Sequence, residues 1–150
     1  MRGVLNISEA FSLALHSAAL VAASSGGRET AKSMAEAMGA SENHLSKVLR
    51  RMVREGILVS ARGPGGGFSL GKPGGEITLM EIYQCVEGPF RPVECIAPTP
   101  VCGGGGCVFG GLLEKASAEF REYLENTTVE DIKRWLGKGE RHEKKDRGDR

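Results

Sequence analysis

The sequence predicts a mainly α-helical chain carrying one small β-hairpin. Three observations lead there. Apolar residues recur at helical spacing along most of the chain, two short β-prone runs flank a glycine-rich tip, and helix breakers (Gly39, Gly56, Gly74-Gly75, Gly88-Pro89) part the segments.

The first helix is expected over 8–23. It is apolar on nearly every side (Phe11, Leu13, Leu15, Ala18, Ala19, Leu20, Val21), the pattern of a helix buried on most of its surface. Ser24-Ser25-Gly26-Gly27 ends it. Thr30 caps a short second helix to Met38, in which Ala31, Met34, Ala35 and Met38 share a face. Gly39 breaks that helix, and Ser41 caps a third over 42–55 with Leu45, Val48, Leu49 and Met52 as its apolar stripe. Two short helices joined by a tight glycine turn form a helix-turn-helix.

Residues 57–70 then read as a hairpin around Gly63-Pro64-Gly65-Gly66-Gly67. A hairpin directly after such a helix pair is a wing. Thr78 and Glu81 have capping-box spacing for a fourth helix to Glu87. A long amphipathic helix is expected over 108–126 (Leu112, Leu113, Ala116, Phe120, Tyr123, Leu124), followed by a short one from Thr128 carrying Val129, Ile132, Trp135 and Leu136. Residues 137–150 alternate charge without an apolar anchor and are expected to be disordered.

Net charge is +1, unevenly spread. Residues 1–75 hold nine Lys/Arg against five Asp/Glu, whereas 76–137 hold five against ten. A basic first part and an acidic second part fit DNA contact by one and self-association by the other. Arg2 ahead of the apolar run 10–23 resembles an export signal, but Glu9 borders that run, His16 interrupts it, and its length suits an ordinary helix. A reducing cytoplasm is the expected setting, where clustered cysteines point to metal or redox work rather than structural bridges.

Reading a major groove takes short polar side chains near the start of an exposed helix, with basic residues for the phosphates. Asn43, His44, Ser46 and Lys47 fill the first role in the third helix, and Arg50, Arg51 and Arg54 the second. At the wing tip Arg62, beside Gly63, is suited to a narrow minor groove.

Cys95, Cys102 and Cys107 lie in a Gly/Pro-rich loop with six and four residues between them. Thiolates are soft ligands for iron–sulfur clusters, zinc or copper(I), and this spacing is not that of a zinc ribbon. Glycines between them allow thiolates to converge. The same thiols without metal form a candidate redox switch. Cys85 lies on an apolar helical face and reads as a packing residue, as do Met34, Met38, Met52 and Met80. No nucleotide-binding glycine fingerprint, zinc-protease motif or Cys–His–acid triad is present, so no catalytic residues are expected.

Ala14-Leu15-His16, Leu45-Ser46-Lys47-Val48-Leu49-Arg50-Arg51, Arg62-Gly63-Pro64-Gly65-Gly66-Gly67-Phe68-Ser69-Leu70 and Glu76-Ile77-Thr78-Leu79, together with the cysteine loop, resemble the winged helix-turn-helix regulators typified by IscR, NsrR, RirA and CymR. The resemblance spans about residues 5–136. It implies a homodimeric repressor on a palindromic double-stranded DNA operator, held together by the long helix, with the third helix in the major groove and Arg62 in the minor groove. It also implies a [2Fe–2S] or [4Fe–4S] cluster on Cys95, Cys102 and Cys107, completed by a ligand other than cysteine. Some relatives use an acidic residue in the first helix, where this chain has Ser12. His16 matches a histidine ligand of another relative, and Glu9 is a further candidate. Alternatives are a cluster-free thiol switch, zinc on the same thiolates, or action through a protein partner. The expected organisation is a DNA-binding unit (1–75), a connecting helix and cysteine loop (76–107), a dimerisation helix and terminal helix (108–136) and the charged tail (137–150).

Overall fold

A computed structural model describes residues 7–97, 99–103 and 106–143, with side chains to Leu136. Its elements are α1 (Glu9–Ala23), α2 (Ala31–Met38), α3 (Glu42–Arg54), β1 (Leu58–Ala61), β2 (Gly67–Leu70), α4 (Leu79–Glu87), α5 (Leu112–Asn126) and α6 (Val129–Glu143), with a single 3-10 turn at Gly74–Glu76. The mainly helical architecture with one antiparallel hairpin is as the sequence predicts.

Helix α1 is the post around which the rest assembles, packing against α2, α3, α4, α6 and β2. Its broad apolar surface requires this: Phe11, Leu13, Ala14, Ala18, Ala19 and Val21 are buried. The capping residues read from sequence, Thr30, Ser41 and Thr78, all work, and the structure adds Ser8. The Ser8, Thr30, Ser41 and Thr78 side chains accept amide hydrogen bonds from Phe11, Ser33, His44 and Glu81.

The wing has a third member that the sequence pattern does not announce. Glu29, in the α1–α2 connection, pairs with Phe68 of β2. The Glu29 amide donates to the Phe68 carbonyl (3.0 Å) and the Phe68 amide to the Glu29 carbonyl (2.7 Å). A second bridge, Thr78 to Thr128, ties the start of α4 to the α5–α6 junction.

Two boundaries differ from expectation. Helix α5 starts at Leu112 rather than Val108. Gly110 and Gly111 are weak helix formers, and the Gly110 amide is spent on the Cys107 carbonyl (2.9 Å) instead of a helical partner. Helix α6 continues past Leu136 to Glu143. Its first turn is locked by the Thr128 amide and hydroxyl on Asp131, both at 2.9 Å, and propagation adds a hydrogen bond per residue once that nucleus exists. The rest of the expected tail, 144–150, lies outside the described residues. Among the described residues no helix is long and apolar enough to cross a membrane.

Candidate nucleic-acid interface and cysteine loop

At 100° per residue, Asn43, Lys47, Arg50 and Arg54 of α3 fall within about 60° of one another. All four are exposed, while Leu45, Val48, Leu49 and Met52 are buried on the opposite side. Ser46 is half-buried at the margin of the exposed face. This is a polar, basic helix face backed by a rigid core. Among the described residues its one ion pair is a loose one: Arg54 meets Glu55 at 3.7 Å, both well exposed.

His44 and Arg51 lie about 80–100° round the helix from that face and have partners inside the fold. His44 Nδ1 is 3.6 Å from a Glu9 carboxylate oxygen at the start of α1. The Arg51 guanidinium donates to the Val86 carbonyl at the end of α4 (3.0 Å), capping a helix terminus whose carbonyls favour a cation. The structure therefore divides the basic residues of α3. Lys47, Arg50 and Arg54 face outward, whereas Arg51 joins α3 to α4.

The wing projects beside α3. Arg62 and Gly63 are exposed, and the tip is closed by the Gly66 amide on the Gly63 carbonyl (2.9 Å). Pro64 followed by Gly65 at φ +72° is the type II turn arrangement, which needs glycine at its third position. Gly67 is needed for a different reason. At φ +128°, a Cβ there would sit 2.6 Å from the Glu29 carbonyl oxygen. A residue that sequence reasoning missed also meets the tip: Arg28 donates to the Gly65 carbonyl at 2.6 Å, across 37 residues. No local pattern signals a contact at that separation.

The cysteine loop is pinned to the body at its start. There Phe90 stacks into an aromatic cluster with Tyr83 (5.6 Å) and Phe120 (6.2 Å), and Phe11 joins through Tyr83 (5.3 Å). The Val93 amide donates to the buried Ser117 hydroxyl of α5 (3.0 Å). At its end the contact is local, the Phe109 amide approaching Cys107 Sγ at 3.4 Å. Cys102 is exposed, Cys95 and Cys107 are half-buried, and none is in a disulfide.

His16 is exposed on α1, not a core residue. Its Nδ1 is 2.7 Å from the Ser12 carbonyl, which can only accept, so Nδ1 is the donor in this contact and Nε2 is the ring nitrogen left for a ligand. Three thiolates and such an imidazole fit a thiophilic cluster by donor chemistry. By geometry one chain does not gather them: among the described residues no group of three or more His, Cys, Asp or Glu could hold a metal. Cys85 is half-buried against the core. Burial pushes its thiol above the ordinary range, with Glu55 adding to this and Arg51 and Arg54 opposing it, as expected of a packing residue.

Residues 7–134 match the Rrf2 family, described as iron-dependent transcriptional regulators. The chain belongs to the Rrf2 family. Among relatives, the regulator IscR of Cronobacter sakazakii is 29% identical over 99 residues, covering 66% of this chain and 61% of that protein. Among solved structures, CymR, the global cysteine regulator of B. subtilis, superposes with a TM-score of 0.72 at 27% identity, covering 87% of this chain and 98% of that one. Staphylococcus aureus CymR in an oxidised form gives 0.67 at 25%, covering 86% and 96%. Rrf2 relatives are transcriptional regulators and not enzymes, and the winged helix-turn-helix reading of the fold stands.

Proposed function

We propose that this Rrf2 protein is a cytoplasmic, homodimeric repressor of a palindromic operator whose affinity is set by the loop thiols. The carrying observation is the exposed Asn43–Lys47–Arg50–Arg54 face standing beside a glycine-tipped wing that ends in Arg62. Asparagine pairs bidentately with adenine, lysine seeks guanine acceptors, and arginine suits a narrow A·T minor groove. The partner surface is the outer stripe of α5. Leu112 (57% exposed) and Tyr123 (45% exposed) share a face with Ala116, about 100° from the buried Leu113, Ser117 and Leu124. A two-fold pair would seat its α3 helices about 34 Å apart on B-DNA, so a small rotation between subunits misaligns one when the other is seated.

Cys95, Cys102 and Cys107 with His16 would hold an iron–sulfur cluster, which supplies a group responsive to oxidants, nitric oxide or iron status. Since one chain does not gather these ligands, they would be brought together across the dimer, the loop of one subunit meeting α1 of its partner. A second reading is a cluster-free thiol switch. It is supported by the exposed Cys102 thiol and by the likeness to a CymR solved in an oxidised form.

The test is iron and sulfide per chain with a visible spectrum, on protein purified without oxygen, alongside selection of a DNA site from a random duplex pool. Two or four irons with matching sulfide support the cluster sensor. Iron-free protein with reactive loop thiols moves the assignment to the thiol switch. Failure to enrich any duplex would sink the operator reading itself.

A further inference from the structure

The wing tip is a four-residue turn, Gly63-Pro64-Gly65-Gly66, closed by one backbone hydrogen bond. Three glycines in four residues make it costly to order, since glycine surrenders more conformational freedom than any other residue. Two features outside the hairpin restrain it. The Glu29–Phe68 bridge lays the α1–α2 connection along β2 so closely that a Cβ on Gly67 would lie 3.3 Å from Arg28 Cγ as well as against the Glu29 carbonyl. From that strap the Arg28 guanidinium reaches the tip and donates to the Gly65 carbonyl at 2.6 Å, a charge-assisted bond. The strap is itself tied down, because the Ser24 hydroxyl donates to the Arg28 carbonyl (3.0 Å). The tip is thus held to the body of α1 and α2, the body on which α3 is packed.

We propose that Arg28 is a positioning residue for DNA recognition, fixing the wing-tip turn and with it the approach of Arg62 to the minor groove relative to the exposed face of α3. This rests on the reading of the wing as a DNA contact. Arg28 acts through Arg62: it lowers the entropy lost when the tip is seated, so its contribution exists only while Arg62 has a groove to enter.

The experiment measures the dissociation constant of the full chain for a duplex selected with the wild-type protein, by fluorescence anisotropy over a series of salt concentrations. The variants are R28M, R62A and R28M/R62A. Methionine keeps the aliphatic stem of Arg28 and removes the guanidinium. R28M is expected to weaken binding roughly threefold to tenfold, the worth of one hydrogen bond, and the double variant to bind no more weakly than R62A. Equal losses from R28M in both backgrounds would overturn the proposal. With a salt slope reduced by about 1 that outcome means a direct phosphate contact, and with an unchanged slope and a lowered melting temperature it means a structural role only. Unchanged binding by R28M beside a weakened R62A would also overturn it, while leaving the wing reading intact. An R62A protein with undiminished affinity would remove the wing reading and this inference together.

Discussion

Lys47 and Arg51 are four residues apart on α3 and alike in charge, yet their surroundings give them different work. Lys47 is exposed on the outer face, and Arg51 caps the Val86 carbonyl. Lys47→Ala should leave stability unchanged, weaken operator binding and lower its salt slope by about 1 if Lys47 meets a phosphate. Arg51→Ala should instead cost about 1 kcal/mol of stability, since the Val86 carbonyl loses its donor. Urea unfolding beside a salt-dependent binding titration separates the two, and an Arg51 variant of full stability would contradict the capping role. Gly67 offers a second test at this scale. Gly67→Ala combines a disfavoured φ with a clash against the Glu29 carbonyl, and should cost about 1–3 kcal/mol in urea unfolding. The residue types suited to DNA were legible in the sequence. Which of the basic residues stay available was not, because that depends on α1 and α4 arriving beside α3.

At the scale of elements, α4 was fully legible: its capping box, its start and its end at Gly88 are where the pattern places them. The structure adds Lys72, whose Nζ lies 2.6 Å from Glu81. Burial alone would raise the Glu81 carboxyl. The hydrogen bonds from Lys72 and from the Thr78 backbone outweigh it and hold the group below the ordinary carboxylate range. A depressed folded-state value means stability that is present above the unfolded carboxyl pKa and is lost as pH falls through the folded one. Acid unfolding should therefore include a Glu81 component that Glu81→Gln removes. Superimposable stability–pH curves for the two proteins would refute this. Because Glu81 is partly exposed, the component is small. Helix α5 was legible in its amphipathicity but not in its starting point, which the Gly110-Gly111 turn moved inward.

At the scale of the molecule, α5 divides its apolar surface, half into its own core and half outward. If α5 forms the proposed dimer contact, Leu112→Glu with Tyr123→Glu should convert the dimer to a monomer in sedimentation velocity without lowering helicity, and an unchanged sedimentation coefficient would rule out this stripe as the interface. Operator affinity should fall with it, since two half-sites would no longer be read by one particle. The cysteine loop also belongs to this scale. Cys102→Ala should abolish bound iron if the cluster assignment holds, or the thiol-dependent change in DNA affinity if the switch assignment holds. A variant that keeps both would remove Cys102 from the mechanism.

The order of helices, the hairpin, the caps and the residue types suited to DNA and to thiophilic chemistry follow from the sequence alone. Each rests on local rules: periodicity, capping and the special backbone of glycine act over a few residues. The tertiary structure decided what depends on distant segments meeting. It turned His44 toward Glu9 and Arg51 onto α4, left His16 exposed with Nδ1 held on the Ser12 carbonyl, and laid the Glu29 strap and Arg28 against the wing. It also anchored the cysteine loop at Phe90 and Val93, and among the described residues it gathers no three ligating groups. Such contacts join residues tens of positions apart, and burial and packing select them where no local pattern can.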